Sequence, residues 1–464
     1  MRSLLVLGLI LVTHAARAQG PSDALEAELG VAGGLHARDV VRAAIETSRE
    51  RAARRAEIEA AYADADRALL SLVPRLELSA SYTRLSEITA PSLGYIAVPA
   101  GQTQPGPIPP GAPLVAVPLQ FPVLLDQTAL RAQLVVPLSD YFLRVLPSRD
   151  AAQHAARAGE AQLEVTEQAV ALEAETLYWS WARAHLASLV AEQALERAEA
   201  HRDDARRLHA AGVGVEADVT RAQAQVAEMQ ALLATTANVH AAIGDRLRTI
   251  MHVERIPETI GDELPEEADT IALEAAVDRA LGRRSELRAI DAQISALEAQ
   301  RTIQDAAWIP RLDLFGELLL ADPNPRFVPQ QERFDGTWAV GARVSWQLAD
   351  AIAAEPARRA LEARIAAARA MRELATEGIR AEVVDARRAH ADARSGVISR
   401  RAAVDAAERT LHQVNDVYRA GRGTGLPVID AQTLLVRTRL DWLSARIDLA
   451  IAEARLRRAL ETTP

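Results

Sequence analysis

Arg75-Leu76-Glu77-Leu78-Ser79-Ala80-Ser81-Tyr82-Thr83 alternates without a break: Leu76, Leu78, Ala80 and Tyr82 fall on one side of an extended chain, and the polar residues fall on the other. Three more segments repeat the pattern. In the second, Leu130, Ala132, Leu134, Val136 and Leu138 alternate with Arg131, Gln133, Val135 and Pro137. The third sets Leu312, Leu314, Leu318 and Leu320 against Arg311, Asp313 and Glu317, and the fourth sets Trp338, Val340, Val344, Trp346 and Leu348 against Arg343, Ser345 and Gln347. Each has about the ~10 residues of a tilted transmembrane strand, with one apolar and one polar face. A single such segment fits a soluble sheet resting on a core. Four of them, flanked by helices too long to fold back as a covering layer, predict lipid as the cover. Trp338 and Trp346 suit interfacial positions. Four strands cannot close a barrel, and an open edge in hydrocarbon leaves backbone groups unpaired, so the strands of several copies must share one barrel. Eight strands would be filled by side chains, so an open duct calls for three or more copies.

The chain is one unit written twice. Val73-Pro74-Arg75-Leu76-Glu77-Leu78 matches Ile309-Pro310-Arg311-Leu312-Asp313-Leu314, with Pro74 and Pro310 leading into strands. Leu138-Ser139-Asp140 matches Leu348-Ala349-Asp350 ahead of a very long helical pattern. At the far end, Gly212-Val213-Gly214 leads to Asp218-Val219-Thr220-Arg221-Ala222-Gln223, and Gly421-Arg422-Gly423 leads to Pro427-Val428-Ile429-Asp430-Ala431-Gln432. The first repeat spans 19–255, with strands near 75–85 and 128–138 and a hairpin tip at 212–218. An acid- and proline-rich linker, 256–270, joins it to the second repeat, 271–464, with strands near 311–320 and 338–348 and a tip at 421–427. The long helices are expected over Arg149 to Ala211 and Glu355 to Ala420, each extending roughly 95 Å at about 1.5 Å per residue. Seven-residue spacing in Leu163, Val170 and Leu177, and in Val397, Val404, Leu411 and Tyr418, predicts coiled-coil seams. The fold class is α+β and mostly helical.

Composition fixes the compartment and removes most chemistry. Arg2, an apolar stretch from Leu4 to Val12, and Ala16-Arg17-Ala18 form a cleavable secretory signal over 1–18. No later run is apolar for the ~18 residues that a transmembrane helix needs. There is no cysteine, so disulfides, thiolate metal sites and thiol nucleophiles are excluded. A net charge of -10 argues against nucleic acid as a partner. The ten histidines form no zinc-type spacing, and no phosphate-binding glycine loop or nucleophile elbow is present. No catalytic, cofactor-binding or metal-binding set is expected. The Pro-rich stretch Ala97 to Pro122 reads as a surface loop, partly polyproline-like.

With the duplicated layout, the Pro-Arg-Leu strand starts and the Gly-x-x-x-x-x-Asp-Val-x-x-Ala-Gln tip, the chain resembles the outer-membrane efflux proteins typified by TolC. The resemblance covers nearly all of the chain beyond the signal. It implies a homotrimer in the outer membrane with a twelve-stranded barrel and a long periplasmic helical tunnel. The implied partners are a periplasmic adaptor and an inner-membrane pump, and the implied role is a passive exit duct for efflux or type I secretion. It also implies a gate at the tips: Asp430 matches a carboxylate that rings the pore, while the second acidic position of that tip is Pro427 here. Asp218 matches an acid tied elsewhere to an arginine of the second tip, whose position is Gly423 here, with Arg422 beside it. Read from the residues alone, Asp218 and Asp430 are helix-capping carboxylates, Pro427 is a first-turn residue, and Gly212 and Gly421 end the long helices in left-handed conformation. The second functional reading is a soluble periplasmic coiled-coil adaptor or envelope scaffold.

Overall fold

The structure is a computed structural model that describes residues 28–87, 94–101, 106–119, 123–264 and 272–461. The secretory signal expected over 1–18 and part of the linker lie outside the described residues. The described elements run α1 (Ala37–Thr47), α2 (Arg49–Leu70), β1 (Arg75–Arg84), β2 (Tyr95–Pro99), β3 (Leu114–Pro118), β4 (Asp126–Pro137), α3 (Leu146–Ala210) and α4 (Glu216–Met251). They continue with α5 (Leu273–Arg283), α6 (Ser285–Asp305), β5 (Arg311–Asp322), β6 (Asp335–Ser345), α7 (Leu348–Arg419) and α8 (Leu426–Ala459). The order helix, two paired strands, long helix, tip, helix thus occurs twice. Two compact units cut across these repeats: one holds residues up to Ile58, Ala158–Asp291 and residues from Ala370 on, and the other holds Glu59–Arg157 and Ala292–Arg369.

The second unit is built on an antiparallel sheet of order β1-β4-β5-β6. Register decides its character, because residues paired across the ladder share a face. Leu78 pairs with Ala132, Ala132 with Leu318, and Leu318 with Trp338; the next row runs Leu76, Leu134, Gly316, Val340. The opposite face carries Glu77, Gln133 and Glu317 in one row and Ser79, Arg131, Leu319 and Thr337 in another. Leu78, Trp338, Val340 and Val344 are each at least 70% exposed, so among the described residues no protein layer covers this part of the apolar side. On the polar side Arg131 pairs with Glu317 at 3.5 Å, and the Arg343 guanidinium lies 5.1 Å from the Phe315 ring centre. Phe315 lies directly over Gly341, its cross-strand partner; a Cβ there would sit 2.9 Å from the ring, so any larger residue would displace Phe315. The β5–β6 connection turns back over the polar face, with Asn324 donating to Asp335 O (2.8 Å) and Thr337 Oγ1 (3.2 Å), and Arg326 pairing with Glu317 at 2.7 Å.

Three sequence expectations need correction here. The fourth strand ends at Ser345, so Trp346 and Leu348 lie beyond it; Gln347 O instead accepts the N–H groups of Asp350 and Ala351 as α7 begins. Helix α7 accordingly starts seven residues before Glu355 and carries Pro356 inside it. The stretch Ala97 to Pro122 is not a polyproline loop in its described part: β2 and β3 pair as an antiparallel ribbon, with Pro99 and Pro118 at strand ends where a missing N–H costs little. The matched Leu138-Ser139-Asp140 does close a corner. Ser139 Oγ accepts the N–H of Leu312 at 2.9 Å, and Arg144, held by Asp140, donates to Ala306 O at 2.8 Å.

The first unit is helical and takes in most of α3 and α7, helices of 65 and 72 residues. The seven-residue series begun at Leu163, Val170 and Leu177 continues through Ala184, Ala191, Ala198 and Ala205, all four of them buried. Val404, Ala407 and Tyr418 are buried on the α7 seam. Tyr178, Trp181 and Leu186 of α3 are fully buried in the core cluster that also holds Val40, Leu247, Val404 and Ile447. Trp181 lies near His185 and His240, with ring centres at 5.9 and 5.6 Å, and burial pushes both imidazoles below their ordinary range.

Residues 256–264 are more than a linker. Ile260 bridges Leu35 in parallel, Gly34 and Gly261 approach so closely that neither tolerates a Cβ, and Asp262 accepts the Ala37 N–H at the start of α1 while bonding His36 Nδ1 at 2.8 Å. Tyr178 Oη donates to Leu35 O at 2.9 Å and so ties α3 to this crossing, which burial reinforces by pushing the phenol well above its usual range. Replacing the buried Trp181 with Ala is expected to cost about 3–5 kcal/mol. Tyr178→Phe removes one hydrogen bond and should cost about 1 kcal/mol. Thermal unfolding followed by circular dichroism ranks the two; a greater loss from Tyr178→Phe would place the main contribution in the bond and not in the packing.

Candidate functional site

Both hairpin tips are shaped by the ends of the long helices. Gly212 (φ +75) and Gly421 (φ +68) are left-handed, and each begins the same closing pattern. Gly212 N donates to His209 O and Val213 N to Leu208 O; Gly421 N donates to Tyr418 O and Arg422 N to Val417 O. This pairing satisfies carbonyls that a helix end otherwise leaves orphaned, and only glycine adopts that turn without strain. Val213 lies against Gly421, 3.2 Å from the Cβ position, so a larger residue there would push the tips apart. Pro427 stands in the first turn of α8, as the sequence predicts.

Asp218 does something different from capping its own helix. It is 6% exposed, and its Oδ2 accepts the backbone N–H of Gly425, the residue that leads into α8, at 3.2 Å. Its other oxygen faces Arg221 at 3.5 Å. A carboxylate of the first tip therefore caps the start of a helix in the second tip, 207 residues away in sequence. Asp430 caps nothing: it is exposed in the second turn of α8, with no hydrogen bond or ion pair among the described residues. Arg422 is also exposed, and only its backbone is engaged. Within one chain Asp218 pairs with Arg221 and not with Arg422.

The structure adds residues that the sequence did not single out. Asp204 of α3 binds Arg419, the last residue of α7, at 3.2 Å, and also Arg207. One layer further from the tip, Arg439 of α8 is almost wholly buried and donates to Glu408 and Gln193. Arg197 shares Gln193, and burial together with the Arg439 charge brings its guanidinium down to about 10. Gln432 Nε2 reaches Arg197 O at 3.4 Å. In a linear reading these groups are indistinguishable from a solvated helix face; only the seven-residue seam could have marked them. Among the described residues no group of three or more His, Cys, Asp or Glu side chains is placed to hold a metal, and no helix is long and apolar enough to cross a membrane.

The class that these features define is a protein with two long α-hairpins and an amphipathic four-stranded sheet. Residues 276–462 match the sequence profile of the family described as outer membrane efflux protein. No curated protein sequence matches. The fold is shared with solved outer-membrane channels. The channel OprN is similar at a TM-score of 0.69 and 20% identity, over 92% of this chain and 90% of its own. VceC from Vibrio cholerae has a TM-score of 0.67 and 18% identity, over 91% and 95%. The open state of MtrE from Neisseria gonorrhoeae has a TM-score of 0.68 and 17% identity, over 91% and 88%. The family profile thus covers the second repeat, and over nine-tenths of the chain the fold is that of solved outer-membrane channels.

The chain has no native cysteine, and the Cβ position of Gly425 lies 3.4 Å from Asp218 Cβ, near the range that a disulfide bridges. An Asp218→Cys, Gly425→Cys pair is expected to oxidise within one chain, seen as a mobility shift that reductant reverses. Failure to cross-link under oxidant would contradict this tip geometry.

Proposed function

We propose that the chain is the outer-membrane channel subunit of a tripartite efflux or type I secretion system, a passive duct from periplasm to exterior. One observation carries the reading: a continuous apolar sheet face left open to the surroundings, with a charged face opposite and both sheet edges, β1 and β6, unpaired. Lipid suits the first face and water the second. The open edges call for further copies. At four strands per chain a homotrimer gives twelve strands, enough to hold water in the barrel lumen, whereas a dimer gives eight.

The long hairpins extend the duct into the periplasm, and their tips gate it. Asp218 and Asp204 tie the second tip to the first within each chain, while Asp430, exposed and unpaired, is free to line a constriction where copies meet; Arg422, exposed beside Gly421, faces the same gap. A periplasmic adaptor and an inner-membrane pump bind the helical surface and favour the state with parted tips, a shift that needs only a difference in their affinity for the two states. Cargo then diffuses outward without chemistry on the protein.

In mild detergent, native light scattering of the outer-membrane extract is expected to give the mass of three chains. A monomeric protein recovered from the periplasm without detergent would overturn the duct and favour the coiled-coil scaffold. In planar bilayers, Asp430→Ala is expected to reduce cation preference by a few-fold, the scale of removing one partly exposed charge per copy; unchanged selectivity would remove Asp430 from the pore lining.

A further inference from the structure

His201 stands on the α3 seam, one turn from Asp204, and is 3% exposed. Its ring lies 5.0 Å from the Tyr418 ring of α7, tilted by 54°. Neither Nδ1 nor Nε2 has a hydrogen-bond partner. A neutral imidazole carries one N–H donor and one acceptor nitrogen, and neither meets a protein partner in this buried seam. An apolar side chain would pack there without that cost, so a role in packing does not account for a histidine.

The groups around it are the ones that hold the tips. Asp204 on its own helix binds Arg207 and Arg419, Asp218 from α4 binds Arg221, and Tyr418 comes from α7. From α8 the nearest tie is the Gly425 N–H on Asp218. A turn further along α3 stands Arg197, with Arg439 and Glu408 beyond it.

We propose that His201 is a proton-binding site that couples acidity to release of the tips: the closed seam holds the ring neutral between Tyr418, Asp204 and Asp218, and proton uptake favours the parted seam. The proposal rests on the tip gate described above. Its sign follows from burial. Desolvation holds the buried ring below the ordinary imidazole range, and the nearby Asp204 and Asp218 pull the other way but are outweighed. A parted seam returns the ring to about 6.5. The parted state therefore binds the proton more tightly, so the closed seam loses stability as pH falls through the ordinary histidine range and is insensitive to pH above it. Between the two values, the ratio of parted to closed seams rises about tenfold per pH unit for each histidine titrated.

The test is conductance of the reconstituted full-length channel from pH 8 to pH 5, for wild type, His201→Phe and Asp218→Ala. Wild-type conductance is expected to rise as pH falls through about 6.5. His201→Phe places a ring that does not titrate in the same seam and flattens the response. Asp218→Ala, which cuts the tie to Gly425, conducts at every pH. If His201→Phe keeps the wild-type pH response, the proton site is overturned while an open Asp218→Ala leaves the gate standing. If Asp218→Ala is as closed as wild type at pH 8, the gate itself is overturned. Where the Phe ring prevents folding, His201→Leu gives the same readout.

Discussion

The backbone N–H and C=O groups along the outer edges of β1 and β6 constrain the molecule more tightly than any side chain does. Water satisfies such edges, but it does not satisfy the adjoining face, where Leu78, Trp338 and Val340 stand exposed in adjoining cross-strand rows. Hydrocarbon satisfies that face and leaves the edges unpaired at several kcal/mol for each group. Edge meeting edge between copies, in lipid, meets both demands. The details of the sheet agree with a surface under this constraint. Phe315 covers Gly341 on the polar side, where the missing side chain would otherwise expose backbone, and the β5–β6 connection folds inward with Arg326 on Glu317.

The helical unit meets a different difficulty. Seams built on Ala184, Ala191, Ala198 and Ala205 allow close approach but bury little apolar area per residue, and many sliding registers look alike to such a surface. Register is set by a few large or charged groups. Trp181 and Tyr178 supply one such group, Arg284 with Glu286 and Glu382 another, and Arg439 with Glu408 a third. Removing one partner of a buried charged pair is costly, which makes these contacts selective even where their net stabilisation is small. Near the tips the ties are lighter: one backbone hydrogen bond on Asp218 and one ion pair on Asp204. The proposed gate would draw its moving segment from this weakly held end.

Much of this was legible in the residues. Strands with a period of two and glycines that end seven-residue seams announce themselves locally, and Pro74 and Pro310 stand directly before β1 and β5. The failures have physical causes. Trp346 and Leu348 continue the alternation past the point where Gln347 begins to cap α7, so pattern alone overran the strand. Prolines at both ends of the β2–β3 ribbon hid a pairing that needs their N–H groups least. Asp218 carries a capping signal that is correct in kind, but the helix it caps lies 207 residues away, a distance that no local rule spans, and Asp430, which carries the same signal, caps nothing among the described residues.

In the proposed shared barrel, β6 of one copy pairs with β1 of the next. Because the chain contains no cysteine, a scan that combines Leu78→Cys with single cysteines along β6 reads this contact directly, by oxidative cross-linking in native outer membranes and gel analysis. The proposed shared barrel predicts covalent dimers and trimers and nothing larger, at β6 positions spaced by two residues. Monomers at every position, or a ladder that continues past three chains, would contradict it.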